Sequence, residues 1–330
     1  MKILLTGGNG FIGHNLAIYL KNKGHEVTIL DSLSINNLLS FTDNEIINQK
    51  LYRSILNERI NLLNFNKINL QVIDARDYHV YSNIYSSLSP DIVIHLAAVS
   101  HANKSNKDPH STFDHSLRTL ENTLDVCRVN KTHVIYLSSS MVYGNFTSGI
   151  VSEETPCNPI GIYGTLKYSG ELMVKAYNQV FDLPYTIIRP SALYGERCVS
   201  RRVSQIFIEN LVSKKQITIN GDGEDKLDFT YIEDFIDGIE KCCTNQNAKN
   251  QTFNLTFGNS RQIIDLIKIL KSNFENVEVV KKPREEFMPE RGTLDISKAK
   301  KLINFQPQNP IEIGYQKYID WYKEFFNKVS

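Results

Sequence analysis

Short apolar segments alternate with amphipathic segments through the first half of the chain. Apolar runs predict strands at 2–5, 27–30, 70–73, 91–96, 134–137 and 185–188, and helical spacing predicts helices at 11–23, 112–130 and 162–181. The segment 91–96 is apolar almost throughout, as is typical of a parallel strand that is buried on both faces. Strands that alternate with helices in this way predict an α/β fold with a doubly wound parallel sheet of the Rossmann type.

The alternation breaks after residue 189. Short strands predicted at 217–219 and 252–255 mix there with helices predicted at 203–212, 234–242, 261–272 and 314–326. We interpret 1–189 as a nucleotide-binding domain and 190–330 as a smaller C-terminal α/β lobe, with some chain crossing back to the first domain. Ligands of doubly wound sheets bind at the carboxyl ends of the strands, so the lobe is predicted to hold the substrate there. Residues 34–66 are polar with interspersed leucines and predict a helical insertion.

Composition and charge exclude several classes of function. The formal net charge of +1 gives no overall attraction to nucleic acid or to a membrane surface. No stretch reaches the ~18 apolar residues of a membrane span. The 5 cysteines include no C-x-x-C pair, which indicates neither a disulfide framework nor a metal site and favours a reducing cytoplasm.

A glycine motif, G-x-x-G-x-x-G, joins the first predicted strand to the first predicted helix. Gly7, Gly10 and Gly13 allow the backbone to turn sharply and to approach a pyrophosphate closely. The N-terminus of the following helix directs free N–H groups at phosphates. A glycine triplet alone also fits a plain turn, but Asp31 ends the next strand about twenty residues on, and that context favours a dinucleotide site.

Asp31 also predicts which dinucleotide binds. A carboxylate at this position accepts hydrogen bonds from the ribose hydroxyls of NAD and repels the 2′-phosphate of NADP. Ser32 and Leu33 offer no cation for that phosphate. NAD is therefore the predicted cofactor, and the alternative is that Asp31 only caps a turn.

Tyr163 and Lys167 form the pattern Y-x-x-x-K in the predicted helix 162–181. Residues four apart share a helix face, so the lysine charge is expected to lower the pKa of the phenol, which is normally ~10. Such a tyrosine exchanges a proton near neutral pH. Ser138, Ser139 and Ser140 follow the fifth strand at the same edge of the sheet, where a hydroxyl is placed to bind a substrate oxygen. A surface helix pair and serines that only terminate a strand are the alternatives.

Together these motifs resemble the extended short-chain dehydrogenase/reductases, and among them the NAD-dependent epimerase/dehydratase family typified by UDP-galactose 4-epimerase. The resemblance extends over nearly the whole chain. Besides the glycine motif and Y-x-x-x-K, it rests on DARD from residue 74, HLAA from residue 95, SSSMVYG from residue 138, GDG from residue 221, DF from residue 228 and DISKAK from residue 295. It implies an NAD-dependent enzyme that acts on a nucleotide sugar.

The resemblance also implies roles for individual residues. Tyr163 is the acid/base, Lys167 is its charged partner and a ligand of the nicotinamide ribose, and Ser139 is the hydroxyl partner. His95 serves packing at the end of a buried strand. The family's dimer contact, a four-helix bundle, implies a homodimer through the helices at 112–130 and 162–181. The cofactor is implied to contact the three glycines and Asp31 together with Phe11, Ile12, Asp74, Ala75, Leu96, Ala97 and Ala98, with Val99 also lining its site.

Three positions depart from the family pattern. The dehydratases and decarboxylases of the family carry a glutamate where this chain has Met141, so an elimination step is unsupported, whereas 4-epimerases need no such group. Ala192 and Leu227 stand where the family usually has an asparagine and an arginine that hold the substrate phosphates. The predicted substrate ligands are Ser100, Ser139, Ser140, Lys226, Arg197 and Arg291, with Arg201 and Arg202 in the same basic run.

These observations predict a cytoplasmic, NAD-dependent nucleotide-sugar epimerase that works through a transient keto sugar, with hydride removed and then returned. Three alternatives stay open: a reductase or dehydrogenase with net redox turnover, a dehydratase of the same superfamily, and a nucleotide-sensing protein that has kept the fold.

Overall fold

Seven parallel strands form the central sheet of the computed structural model, which describes residues 1–42, 48–100, 102–284 and 289–329. The strand order is β7-β6-β5-β4-β1-β2-β3, and every neighbouring pair is parallel. The strands are β1 Lys2–Thr6, β2 Glu26–Asp31, β3 Asn69–Val72, β4 Ile92–His95, β5 His133–Leu137, β6 Tyr185–Arg189 and β7 Gln251–Asn254. The chain order reverses between β1 and β4, which opens a crevice at the carboxyl ends of these two strands.

Helices cover both faces of this sheet, which confirms the predicted doubly wound, Rossmann-type architecture. Their bounds are α1 Phe11–Asn22, α2 Gln49–Phe65, α3 Tyr78–Leu88, α4 Ala102–Lys107, α5 Pro109–Phe113, α6 Thr119–Arg128, α7 Gly161–Phe181, α8 Val203–Val212, α9 Ile232–Thr244, α10 Ile263–Asn273, α11 Ser297–Ile303 and α12 Ile311–Val329. Short 3-10 turns lie at Leu38–Phe41, Ser140–Tyr143 and Gln246–Ala248, and a π turn lies at Asp114–Arg118. The other strands are short: Ile150–Val151, Leu193–Tyr194, Ile217–Asn220, Lys226–Leu227, Thr230–Tyr231, Arg261–Gln262, Val279–Lys282 and Thr293–Leu294.

Both faces of the central sheet are buried, because successive side chains of each strand point to opposite faces. In β1, Ile3 and Leu5 pack into a core with α1, α2 and the C-terminal helices, while Leu4 packs into a second core with α3, α6 and α7. Successive side chains of one strand therefore enter opposite layers. This double burial is the reason that the strands read as continuous apolar runs.

Two differences from the predicted elements concern helices in the first half of the chain. The single helix expected at 112–130 is divided into α5, the π turn and α6. The prediction had no helix at α3, whose buried face consists of the aromatic residues Tyr81 and Tyr85 among polar neighbours and so gives a weak apolar signal. The predicted strand at 252–255 is β7, which pairs with β6 and so returns the chain to the central sheet. The domain boundary at residue 189 stays a prediction.

The insertion at 34–66 is a core element in its described part, because α2 buries Leu51, Tyr52, Ile55, Leu56 and Leu63. Residues 43–47 of the insertion lie outside the described residues. The five cysteines are unpaired. Within the described ranges, we find no helix with the length and apolar character that crossing a membrane requires.

Candidate functional site

A cleft lies at the carboxyl ends of β1, β2 and β4, where the strand order reverses. Twelve residues singled out from the sequence line it: Gly7, Gly10, Phe11, Ile12, Gly13, Asp31, Asp74, Ala75, Leu96, Ala97, Ala98 and Ser100. Val99 is not among its lining residues, because its side chain is buried beneath the strand end. The structure thus gathers the predicted cofactor residues other than Val99, Tyr163 and Lys167 around one cleft.

The glycine turn leaves no room for side chains at two of its positions. A Cβ atom added to Gly7 would lie 2.7 Å from the backbone nitrogen of Ala97, and Gly7 also has φ +70°. A Cβ atom on Gly13 would lie 2.5 Å from the Cα atom of Gly8. Gly7 therefore packs directly against the segment that follows β4, and the first turn of α1 packs at Gly13 against the backbone of Gly8.

The same turn fits the pyrophosphate of a dinucleotide. Gly10 precedes α1 without any capping hydrogen bond from a side chain, so the first N–H groups of this helix keep their capacity for an anion. The buried Oδ1 atom of Asn9 also has no hydrogen-bond partner among the described residues. Both observations agree with a site whose polar groups a bound dinucleotide satisfies.

The position of Asp31 fits both of the roles that the sequence left as alternatives. Its carboxylate accepts hydrogen bonds from the backbone N–H groups of Leu33, at 2.7 Å, and of Asn9, at 2.9 Å, so it does cap a turn. It also lines the cleft, as a ribose ligand must. Burial raises the pKa of Asp31, and its hydrogen bonds and the charge of Arg59 oppose that rise.

Arg59 is a cation in this cleft that sequence reasoning missed. It lies on α2, is fully buried, and lines the cleft beside Asp31. Its N–H groups donate to the backbone carbonyls of Asn9 and Arg197. An arginine within the apolar stripe of an amphipathic helix was the available signal, because arginine is rarely buried unless it is paired.

We expect NAD to bind at least about 100-fold more tightly than NADP, because a like charge at close range costs several kcal/mol. Asp31 would face the added 2′-phosphate, while the guanidinium of Arg59 is engaged with backbone carbonyls. Titration calorimetry with both cofactors measures the ratio. The variant Asp31→Asn removes the charge and should lower the ratio of the affinities for NAD and NADP. Equal affinities of the wild type for the two cofactors would refute the preference for NAD.

Asp74 and Ala75 line the cleft on the side of β3. Asp74 pairs with Arg76 at 2.6 Å, and the hydrogen bond from Arg76 is the main cause of the lowered pKa of Asp74. The side chain of Asn122 on α6 donates to the backbone carbonyls of Ala75, at 2.9 Å, and Arg76, at 3.0 Å. This buried asparagine, which the sequence did not single out, fixes the loop that carries Asp74.

The three serines after β5 have three different partners. The Ser138 hydroxyl donates to the buried carboxylate of Glu171 at 2.5 Å. Ser139 lies within hydrogen-bonding reach of the phenol of Tyr163, and its hydroxyl also accepts from the backbone N–H of Met141. Ser140 accepts from the guanidinium of Arg291. Ser139 alone therefore pairs with the predicted acid/base.

The prediction that the pKa of Tyr163 is lowered is wrong for the protein without bound ligands. Burial raises the pKa of this phenol, and the opposing influences are the charges of Arg202 and Arg291 and the hydrogen bond with Ser139. The spacing of Y-x-x-x-K predicted a lysine as the source of positive charge. The structure instead brings two arginines from the second half of the chain to the phenol.

Lys167 is buried beneath the same site. Its Nζ atom donates to the backbone carbonyl of Leu137 at 2.6 Å and lies 5.2 Å from the centre of the Tyr136 ring. Burial lowers the pKa of Lys167 to about 8, and the charge of Glu171 opposes that shift. His95 is buried close by, as expected of a packing residue, and burial lowers its pKa to about 3, so its ring is neutral.

Arg291 and Arg202 supply positive charge next to Tyr163. Arg291 donates to Ser140 and to the sulfur of Met141, while its buried Nε atom has no partner within the described ranges. Burial is the main cause that lowers its pKa to about 10, so it stays charged at neutral pH. Arg202 lines the cleft and donates to the backbone carbonyl of Ser100 at 3.1 Å.

Two predicted substrate ligands lie elsewhere. The Arg197 side chain turns away from the cleft and donates to His14 and to Asn15, each at 3.1 Å. Lys226 is exposed on a short strand that pairs with Arg261–Gln262, and it is not among the residues that line the cleft. The structure therefore does not bring Arg197 or Lys226 together with Tyr163.

Two positions that depart from the family's phosphate ligands, Ala192 and Leu227, have different local surroundings. Ala192 has φ +38°, a left-handed conformation that asparagine tolerates better than alanine. Leu227 is partly buried in its short strand, and the next residue, Asp228, accepts from Thr256, Gly258 and Leu294. Asp228 thus fixes the backbone that follows Arg291.

Comparison with known proteins gives a consistent family. A model of the NAD dependent epimerase/dehydratase family matches residues 3–256. Protein CapI of Staphylococcus aureus is 26% identical over 354 residues, covering 99% of this chain and 100% of that protein. The dTDP-glucose 4,6-dehydratase of Escherichia coli is 26% identical, covering 100% of this chain and 96% of that protein.

Solved structures show the same architecture. The UDP-glucuronic acid 4-epimerase of Bacillus cereus, crystallised with UDP-glucuronic acid and NAD, superposes with a TM-score of 0.87 at 28% identity. The match covers 98% of this chain and 99% of that one. Similarity to both an epimerase and a dehydratase leaves the choice between these two reactions to the residues of the site.

Proposed function

The chain belongs to the NAD dependent epimerase/dehydratase family, and on that premise we propose that it is a nucleotide-sugar epimerase that inverts a ring carbon through a transient keto sugar. NAD is the cofactor of this family. The observation that carries the proposal is the grouping of Ser139, Tyr163 and Arg291 beside Arg202, which lines the cleft, with a thioether, Met141, where elimination would need an acid.

NAD, which Gly7, Gly10 and Asp31 at the cleft would hold, would supply the hydride chemistry of the proposed reaction, removal of a hydride from the sugar carbon and its return to the opposite face. Tyr163 accepts the hydroxyl proton as the carbonyl forms and gives it back when the carbonyl is reduced. The charges of Arg202 and Arg291 favour the phenolate that accepts this proton. Ser139 orients the same oxygen. Electrons and protons balance within one cycle, so the proposed epimerisation needs no external reductant.

Met141 supports epimerisation over dehydration. Elimination of water requires a group that moves a proton at the neighbouring carbon, and a thioether has no proton to give and is a poor base. The Met141 sulfur accepts a hydrogen bond from Arg291, and Ser140 is engaged with the same guanidinium. The side chains next to Ser139 therefore offer no carboxylate for this step.

We propose that Arg291 and Arg202, with Ser100 and Ser140, hold the diphosphate of the substrate. Leu227 and Ala192 remove two usual ligands, yet a diphosphate that leaves water still needs cations or N–H groups around it. Arg291 meets this need best, because it is partly buried and charged, and its Nε–H has no partner among the residues that the structure describes. Arg197, which binds α1, and exposed Lys226 drop out of the proposed ligand set.

We expect epimerisation of a nucleotide sugar without dehydration. The protein is incubated with NAD and a panel of UDP-, dTDP-, GDP- and CDP-sugars, with Tyr163→Phe as the inactive control. Proton NMR distinguishes an inverted ring carbon from a 4-keto-6-deoxy sugar. A 4-keto-6-deoxy product would contradict the role given to Met141, and net accumulation of NADH would identify a dehydrogenase. Turnover of a free sugar alone would show that the missing phosphate ligands exclude nucleotide sugars.

We propose a homodimer through α6 and α7, which pack against each other. Leu172 and Val180 of α7 are 51% and 70% exposed, so an apolar face is open for a second copy. Light scattering after size exclusion should give a dimer for the wild type and a monomer for Leu172→Glu/Val180→Glu. Ile313→Glu, which changes an exposed isoleucine on α12, is the matched control and should stay dimeric.

A further inference from the structure

The loop 195–202 forms a wall shared by the cofactor cleft and the catalytic centre. Val199, Ser200 and Arg202 line the cleft, and the charge of Arg202 acts on the phenol of Tyr163. Two non-glycine residues of this loop are left-handed, Arg197 with φ 62° and Arg201 with φ 52°. Such conformations are strained for residues other than glycine and persist only where the surroundings hold them.

The side chain of Arg59 holds one end of this loop. Its Nε atom donates to the backbone carbonyl of Arg197 at 3.0 Å, and Nη2 donates to the same oxygen. Its Nη1 atom donates to the backbone carbonyl of Asn9 at 3.3 Å. Asn9 lies in the glycine turn, and its own N–H binds Asp31. One buried guanidinium thus joins the turn that faces the cofactor to the loop that faces the substrate.

A second connection joins the same two segments. The Nε of Arg197 donates to Nε2 of His14 at 3.1 Å, and Nδ1 of His14 is 2.8 Å from the backbone oxygen of Gly10 in the glycine turn. Burial is the main cause that lowers the pKa of His14, so its ring is neutral, with Nδ1 as donor and Nε2 as acceptor. We call Arg59, Arg197 and His14 the arginine link.

We infer that Arg59 is a positioning residue that transmits the ordering of the glycine turn by NAD to the loop 195–202, and so sets Arg202 beside Tyr163. The acceptors of the arginine link on the turn side are the carbonyls of Asn9 and Gly10. A cofactor that orders this turn therefore also orders the two carbonyl groups to which the arginine link is bonded. The ordering of the turn and the ordering of the loop 195–202 are thus coupled in free energy. The consequence for turnover rests on the proposed function, whereas the ordering of the loop by NAD does not.

The test is backbone hydrogen exchange, followed by mass spectrometry, with and without NAD and with no sugar present. In the wild type, NAD should slow exchange both in the glycine turn, 7–13, and in the loop 195–202. In Arg59→Met, NAD should still slow exchange in 7–13 but no longer in 195–202, and Arg59→Lys should give an intermediate result. Arg53→Met, which changes an exposed arginine on the same helix, should behave as the wild type.

Two results would overturn the inference. The first is exchange in 195–202 that NAD leaves unaltered in the wild type. The second is slowing by NAD that is equal in Arg59→Met and the wild type, which would mean that NAD orders the loop by direct contact. Should Arg59→Met fail to fold, Arg59→Lys takes its place in the same comparison, because a lysine has no guanidinium with which to bridge the carbonyls of Asn9 and Arg197.

A kinetic measurement adds a second, separate readout. With the substrate found by NMR, Arg59→Met should lower kcat by up to about 10²-fold through misplacement of Arg202 and should also raise KM, because Arg202 is a proposed ligand of the diphosphate. A lower kcat in Arg53→Met as well would contradict a specific role for Arg59. If the wild type converts no nucleotide sugar, the proposed function fails, and the exchange experiment still decides whether NAD orders the loop through Arg59.

Discussion

Replacing Tyr163 with phenylalanine is expected to lower turnover by about 10²–10⁴-fold and to leave NAD affinity unchanged. The phenol is the group that lies within reach of Ser139 and under the charges of Arg202 and Arg291, so its hydroxyl carries the proton in the proposed reaction. It is not among the residues that line the dinucleotide cleft. Rates on the substrate found by NMR, together with NAD titration calorimetry, measure the two effects separately.

The matched control for this prediction is Tyr168→Phe. Tyr168 lies on the same helix, five positions later, and packs against the apolar cluster around Val142 and Tyr143. Loss of its hydroxyl should change turnover by no more than a few-fold. A Tyr163→Phe enzyme that stays within a few-fold of the wild type would show that another group exchanges the proton, and an equal loss in Tyr168→Phe would point to a general effect on the helix.

The cofactor half of the site followed from the sequence because its signals are local. The turn at Gly7–Gly13 and the acid at Asp31 are defined by a strand, a tight turn and a helix that adjoin in the chain, and the cleft forms where these elements end. Steric contact explains the glycines directly, since a Cβ atom at Gly7 would meet the backbone of Ala97. Arg59 escaped this reasoning because its role depends on tertiary packing of α2.

The substrate half could not be read from the sequence in the same way. The sequence alone cannot distinguish between Arg197, Arg202 and Arg291, because all three have the same side chain. Only the path of the backbone places them in different surroundings. The left-handed conformation at Arg197 accompanies a side chain that binds α1, whereas Arg202, five residues later, lies beside the phenol. The direction of the pKa shift of Tyr163 was wrong for a related reason. The spacing of two residues on a helix identifies charged neighbours, but burial of the phenol also shifts its pKa.

Replacing Glu171 with glutamine is expected to lower the free energy of unfolding by about 3–5 kcal/mol. Glu171 is fully buried and accepts two hydrogen bonds from Arg189, at 2.9 and 2.6 Å, and one from Ser138. Removing one charge of such a pair leaves the other charge buried without its counterion. Chemical denaturation followed by the fluorescence of Trp321 measures the loss.

Glu121→Gln is the control for this loss, because Glu121 forms an exposed ion pair with Arg118 that should contribute no more than about 1 kcal/mol. The double variant Glu171→Met/Arg189→Met removes both charges and should be more stable than Glu171→Gln, since no unpaired charge stays in the core. Equal stability of Glu171→Gln and Glu121→Gln would contradict the role of the buried pair.

The same substitution should also change the pH dependence of turnover. Glu171 lies one helical turn after Lys167, and its negative charge raises the pKa of that lysine against the lowering by burial, with a net value of about 8. Without this charge, the pKa of Lys167 falls further, so the lysine loses its proton at a lower pH. The predicted contact of Lys167 with the ribose of the cofactor uses the protonated lysine, so the alkaline decline of turnover should begin at lower pH in Glu171→Gln than in the wild type, while Glu121→Gln keeps the wild-type profile. An unchanged pH profile in Glu171→Gln would show that the Glu171–Arg189 pair stabilises the fold but that its effect on the pKa of Lys167 does not influence turnover.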